Sequence, residues 1–120
     1  MALIRIRYLQ NYYLYRYKSN GAVNTVNLKD IMYFESRHRI IVIHMKNQTT
    51  LTFYSKLDDV EQEVRKICPF FLRVSKSYFI NSNYIKHCTI LEVCLKDDTV
   101  IKVMPKYKNE IISYIVNFVQ

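Results

Sequence analysis

The chain is 120 residues long and half hydrophobic, with 18 Lys and Arg against 10 Asp and Glu for a formal charge of +8. That length and apolar content suit one domain with its own core, and the positive field favours polyanionic partners, nucleic acid ahead of an anionic membrane. The lone Gly21 excludes the common Gly-rich phosphate loops, three cysteines without CxxC or Cys/His spacing argue against a disulfide framework or metal site, and no apolar run reaches the ~20 residues of a membrane-spanning helix.

The opening MALIRIRY alternates instead of forming a signal-peptide core, so a cytoplasmic chain is expected, with a first strand over Leu3 to Tyr8. Ser19, Asn20 and Gly21 supply turn chemistry between Tyr12 to Lys18 and Ala22 to Val26, which predicts a hairpin. Leu28 to Ile31 is a short connection. Met32 to Phe34 and Ile40 to Met45 are rich in β-formers, while Glu35, Ser36, Arg37, His38 and Arg39 between them read as a polar loop. Lys46, Asn47 and Gln48 make the next turn, before a strand over Thr49 to Tyr54.

Ser55, with Asp58 three residues on, is the expected N-cap of an amphipathic helix running from Lys56 to Ile67, with Leu57, Val60, Val64 and Ile67 on one face. Glu61 and Arg65 pair on the other side, and Pro69 ends the element. In FLRVSKSYFIN, Phe71, Leu72 and Val74 form one strand and Tyr78, Phe79 and Ile80 the next, so that Ser75, Lys76 and Ser77 fall on an exposed connection suited to phosphates. Thr89 to Leu95 and Val100 to Met104 flank Asp97 and Asp98 as a second hairpin. Pro105 then opens a terminal helix whose apolar face is Ile111, Ile112, Ile115, Val116 and Val119. One domain over residues 1–120 is expected, with a strand and hairpin start over 1–27, a core over 28–108 and a C-terminal helical segment over 105–119.

Three basic places are thus separated by strands: Arg37, His38 and Arg39; Ser75, Lys76 and Ser77; and Lys102, Lys106 and Lys108 around Pro105. Taken singly, each reads equally well as an ordinary charged turn. Brought to one side they would offer guanidinium forks for base edges and ammoniums and hydroxyls for phosphates. The same interleaving of Tyr with Arg and Lys, as in NYYLYRYK, also fits a single-stranded nucleic-acid module that stacks bases. Paired carboxylates, an activated nucleophile and a metal cluster are all missing from the pattern, so no enzyme and no cofactor are expected. His44 and His87 read as structural, Arg73 as a sheet-face residue pairing with a carboxylate such as Glu35, and Asn81 as bonding its own turn.

The order of these residues resembles the LytTR family of bacterial DNA-binding output domains. LKDIMYFES at Leu28 to Ser36 is similar to the family's opening pattern. FLRVSKSYFIN matches F-x-R-x-H-R/K-S-x-x-V-N at Phe71, Arg73, Lys76, Ser77 and Asn81, and VIKVMPKYKNEI is similar to its ending. Ser75 stands where many members carry His, and Met104 and Pro105 replace the usual Ser-Arg. The resemblance implies a mainly β, elongated domain of small antiparallel sheets with one short middle helix and a C-terminal helix. It implies sequence-specific binding of double-stranded DNA by loops entering successive major grooves. Arg37, His38, Arg39 and Lys106 become the base-reading candidates, and Ser75, Lys76, Ser77 and Lys108 the backbone contacts. Paired repeat sites, a dimer on DNA and an N-terminal receiver domain outside this chain are further expectations of the family.

Overall fold

The computed structural model of the chain describes residues 13 to 119, so the strand expected over Leu3 to Tyr8 lies outside them. Strands β1 (Leu14–Ser19) and β2 (Ala22–Asn27) form an antiparallel hairpin with Ser19 opposite Ala22. Its two turn residues, Asn20 and Gly21, both have left-handed backbones, φ 54° and 76°. Such a turn matches the right-handed twist of the strands it joins, and Asn-Gly adopts it most easily. Tyr15, Tyr17 and Val26 face inward from this hairpin, while Arg16 and Lys18 face solvent.

After a 3₁₀ turn at Leu28–Asp30 come β3 (Ile31–Arg37), β4 (Ile40–Met45) and β5 (Thr50–Tyr54), helix α1 (Leu57–Ile67), then β6 (Phe71–Arg73) and β7 (Tyr78–Asn81). These five strands form one antiparallel sheet in the order β5-β4-β3-β7-β6. A second 3₁₀ turn, Ser82–Tyr84, leads to β8 (Ile85–Cys88), β9 (Glu92–Leu95) and β10 (Val100–Lys102), a three-stranded antiparallel sheet. A 3₁₀ turn at Pro105–Tyr107 then enters the terminal helix α2 (Lys108–Val119). The expected mainly β architecture of small sheets, a middle helix and a C-terminal helix is what the chain adopts. No described helix is long and apolar enough to cross a membrane.

The central sheet is buried on both faces. Phe34, Ile41, Ile43, Phe71 and Phe79 pack under the β1–β2 hairpin and the Leu57, Val60 and Val64 face of α1. Tyr33, Leu72 and Ile80, their neighbours in sequence, point the opposite way onto Val93, Leu95, Ile101, Val103 and Ile111. Successive side chains of a strand alternate faces, so covering both makes a strand read as a continuous apolar run, as in Phe71-Leu72 and Phe79-Ile80.

Four expectations are corrected. β3 continues through Glu35, Ser36 and Arg37, leaving only His38 and Arg39 as the turn, because the buried Glu35 carboxylate finds hydrogen-bond partners in Arg37 on its own strand and His44 on β4. Lys56, not Ser55, occupies the cap position of α1 and makes no side-chain cap bond, so Asp58 and Asp59 supply the favourable negative charge there. Ile85–Cys88 is a strand that the sequence did not announce, and Thr89 lies in a turn ahead of β9, its hydroxyl accepting from Leu91 N and Glu92 N. On α2, Ile111 is buried, whereas Ile112 and Val116 are exposed.

Candidate nucleic-acid interface

One end of the five-stranded sheet collects the basic loops. Tyr54 at the close of β5 pairs with Ile40 at the start of β4, and Arg37 at the close of β3 also faces Ile40 across the tight turn. Glu35 faces Tyr78 at the start of β7, which puts the β6–β7 loop at the same end. Backbone hydrogen bonds stitch the neighbours together: Ser55 N to Arg39 O at 3.0 Å, Ser36 N to Ser77 O at 2.8 Å, and Met104 N to Val74 O at 2.9 Å. The first, central and third basic loops therefore lie side by side.

In the first loop, His38 and Arg39 both carry left-handed backbones, φ 48° and 68°, without being glycine. Each costs roughly 1 to 2 kcal/mol of backbone strain, which a two-residue turn imposes on whatever occupies it. Arg37, with its side chain 61% exposed, is fixed by Glu35 in a two-pronged pair: Nε to Oε2 at 2.8 Å and Nη2 to Oε1 at 3.1 Å. Glu35 Oε1 also meets His44 Nε2 at 2.8 Å, and the His44 ring stacks on Tyr33 at 4.1 Å, so His44 is structural as expected. Burial pushes the Glu35 carboxyl up, but the hydrogen bonds from Arg37 and His44 outweigh it and hold the group below the usual carboxylate value. The carboxylate engages one edge of the Arg37 fork and leaves its remaining N–H donors for a ligand.

The central loop is shaped from within by Arg73, 3% exposed. Its Nε donates to Ser75 O at 2.6 Å and its Nη2 to Lys76 O at 2.9 Å, while Nη1 meets Asp58 Oδ1 and Glu61 Oε1, each at 2.8 Å. The structural reading of Arg73 holds, but its partners are Asp58 and Glu61 on α1, since Glu35 is already engaged by Arg37 and His44. Ser75 is also corrected. It is 5% exposed, and its Oγ accepts from Ser77 N at 3.1 Å, so its hydroxyl faces the loop's own backbone. Lys76 is exposed and Ser77 half-buried.

In the third loop, Lys106 and Lys108 are exposed, and the half-buried Tyr107 ring lies 5.5 Å from both the Arg73 guanidinium and the Lys106 ammonium. That shared ring ties the third loop to the central one. Fully buried Asn81 bonds its own turn as expected, accepting from Asn83 N, and also donates to Ile31 O at 3.0 Å. Tyr54, 83% exposed, and Lys56 stand at the same end and were not singled out in the sequence. An aromatic at a solvent-facing strand position beside buried Phe53 was the available signal.

The sequence profile of the LytTr DNA-binding domain matches residues 21–117. Among solved structures, a LytTr DNA-binding domain from Bacillus cereus superposes with a TM-score of 0.61 at 20% identity, covering 89% of this chain and 96% of that one. At that identity the likeness concerns the fold. No curated protein matches. The profile spans most of the chain, from the β1–β2 turn to the last turns of α2, and the fold agrees with it, so the chain belongs to the LytTr DNA-binding domain family, whose members bind DNA and are not catalysts.

Proposed function

We propose that the chain reads specific sites in duplex DNA with this end of the sheet, as the output domain of a bacterial transcriptional regulator. The observation that carries this reading is the alignment of three basic loops by the backbone bonds Ser36 N to Ser77 O and Met104 N to Val74 O. Arg37, His38 and Arg39 enter one major groove and Lys106 the next, while Lys76, Ser77 and Lys108 contact the backbone. Two copies on paired repeats, and a receiver domain ahead of this one, belong to the same proposal. Burial of Tyr15 and Tyr17 weighs against a single-strand stacking module, because their rings are committed to the core with Phe34 and Phe53.

Selection from random duplexes identifies a cognate site, and competition binding against a scrambled duplex tests the roles. Arg37→Ala, His38→Ala and Lys106→Ala should each reduce discrimination by about 1 to 3 kcal/mol. An equal loss on both duplexes for every variant refutes base reading, and tighter binding to single strands of the same length refutes the duplex.

A further inference from the structure

The row of loops does not stop at Arg39. Beyond it the next strand end is Tyr54, and beyond that lies the tip of the β1–β2 hairpin, which Ser19 ties to β5 by donating its Oγ to Thr52 O at 3.1 Å. Three shallow concavities meet at the exposed Tyr54 ring. One, of about 370 Å³, also holds Arg16 and Glu63; a second, of about 470 Å³, holds Lys18 and Asn20; a third, of about 460 Å³, holds Arg39, Lys56 and Asp59. Four cations there face two carboxylates, and Arg39 belongs both to this surface and to the first loop. The family profile begins only at residue 21, so Arg16 and Lys18 lie ahead of it.

We propose that Lys18, Tyr54 and Lys56 form an additional phosphate-binding flank that grips duplex DNA outside the groove entered by Arg37, His38 and Arg39. This rests on the duplex-binding reading above. The flank has the donors a phosphate backbone requires: two flexible ammoniums and a phenolic hydroxyl carried on a rigid strand end. An acidic protein surface is a poorer fit, since Asp59 and Glu63 edge the same concavities, whereas a regular line of phosphates can contact the ammoniums and pass the carboxylates by. The hairpin is rigid enough to hold Lys18 there, because Tyr15 and Tyr17 behind it are anchored in the core and its turn is a tight two-residue Asn-Gly one. The contact carries no base information. It lengthens the footprint and steepens the salt dependence of binding.

The test uses the whole chain and two duplexes carrying the same selected site, one ending at its outer edge and one extended by about one helical turn on both sides. Lys18→Ala should bind the short duplex as the wild type does. On the extended duplex it should bind about fivefold more weakly near physiological salt, with the slope of log affinity against log salt shallower by about one. Tyr54→Phe keeps the ring and removes the hydroxyl, and should lose affinity on the extended duplex alone. Matching thermal melts show that both variants fold. Undiminished binding of both variants to the extended duplex overturns the flank, and so does an identical loss on both duplexes. A wild type that binds neither duplex overturns the duplex reading itself.

Discussion

Arg73 donates from Nη2 to the backbone oxygen of Lys76 at 2.9 Å, so a buried guanidinium sets the shape of the loop from which the exposed ammonium projects. The same guanidinium reaches Asp58 and Glu61, which links loop shape to the packing of α1 against the sheet.

Arg73→Ala should therefore destabilise the domain by about 2 kcal/mol or more, since it strands the Ser75 and Lys76 carbonyls and removes a buried side chain. Arg73→Lys should recover only part of this, because one ammonium cannot span carbonyls and carboxylates as the fork does. Chemical denaturation measures the loss. DNA affinity of the folded fraction should fall as well, although the Arg73 side chain is buried, and unaltered affinity would show that the loop keeps its shape without the clamp.

Acid should loosen the first loop through Glu35. Its folded carboxyl lies below the usual 4.5, so its contribution to stability is complete above that value and is lost as pH falls through the folded value. Asp98, beside Lys86, acts in the same direction at the surface. Comparing wild type with Glu35→Gln isolates the Glu35 part: the variant should be less stable at pH 7 and show a shallower decline as pH falls below 4.5. Parallel curves would mean that Glu35 adds nothing to pH dependence.

Arg39→Gly offers a trade. Relief of left-handed strain outweighs the chain entropy that glycine adds, for a net gain of about 0.5 kcal/mol. Binding to the selected duplex should nonetheless weaken, because the lost cation belongs to the first of the loops proposed to contact DNA. A variant that is both more stable and an equally good binder removes Arg39 from the interface.

Lys76→Ala should weaken cognate and scrambled duplexes alike and make the salt slope shallower by about one, with stability unchanged because the side chain is exposed. A loss confined to the cognate duplex would move Lys76 from backbone contact to base reading.

Asn81→Ala should cost about 2 to 3 kcal/mol in denaturation experiments. The amide is fully buried, and its removal leaves Ile31 O and Asn83 N short of a partner.

The sequence made some of this legible and hid the rest for physical reasons. Asn20-Gly21 announced its hairpin because few residue pairs accept two left-handed backbones, and α1 was visible from the spacing of Leu57, Val60 and Val64. Glu35 misled because a charged residue in a strand is justified only by its partners. Arg37 was readable as a same-face neighbour two positions on, but His44 comes from another strand. Ser75 could not be placed, since its burial depends on Arg73 drawing the loop inward. The strand Ile85–Cys88 was masked by exposed Lys86 and His87, because it is an outer strand of its sheet and a register shift between Ile85 and His87 breaks its alternation.

The doubly covered central sheet has one more consequence. The β3–β4 turn and the β6–β7 loop leave the same end of strands ordered β4-β3-β7-β6, so their midpoints stand two interstrand spacings apart, about 10 Å. Strand pairing fixes that interval, and both cores would have to repack to change it. The sheet thus acts as a ruler: substitutions at residues 37–39 and 76–77 change the side chains that each loop presents, while the separation between the two loops stays constant.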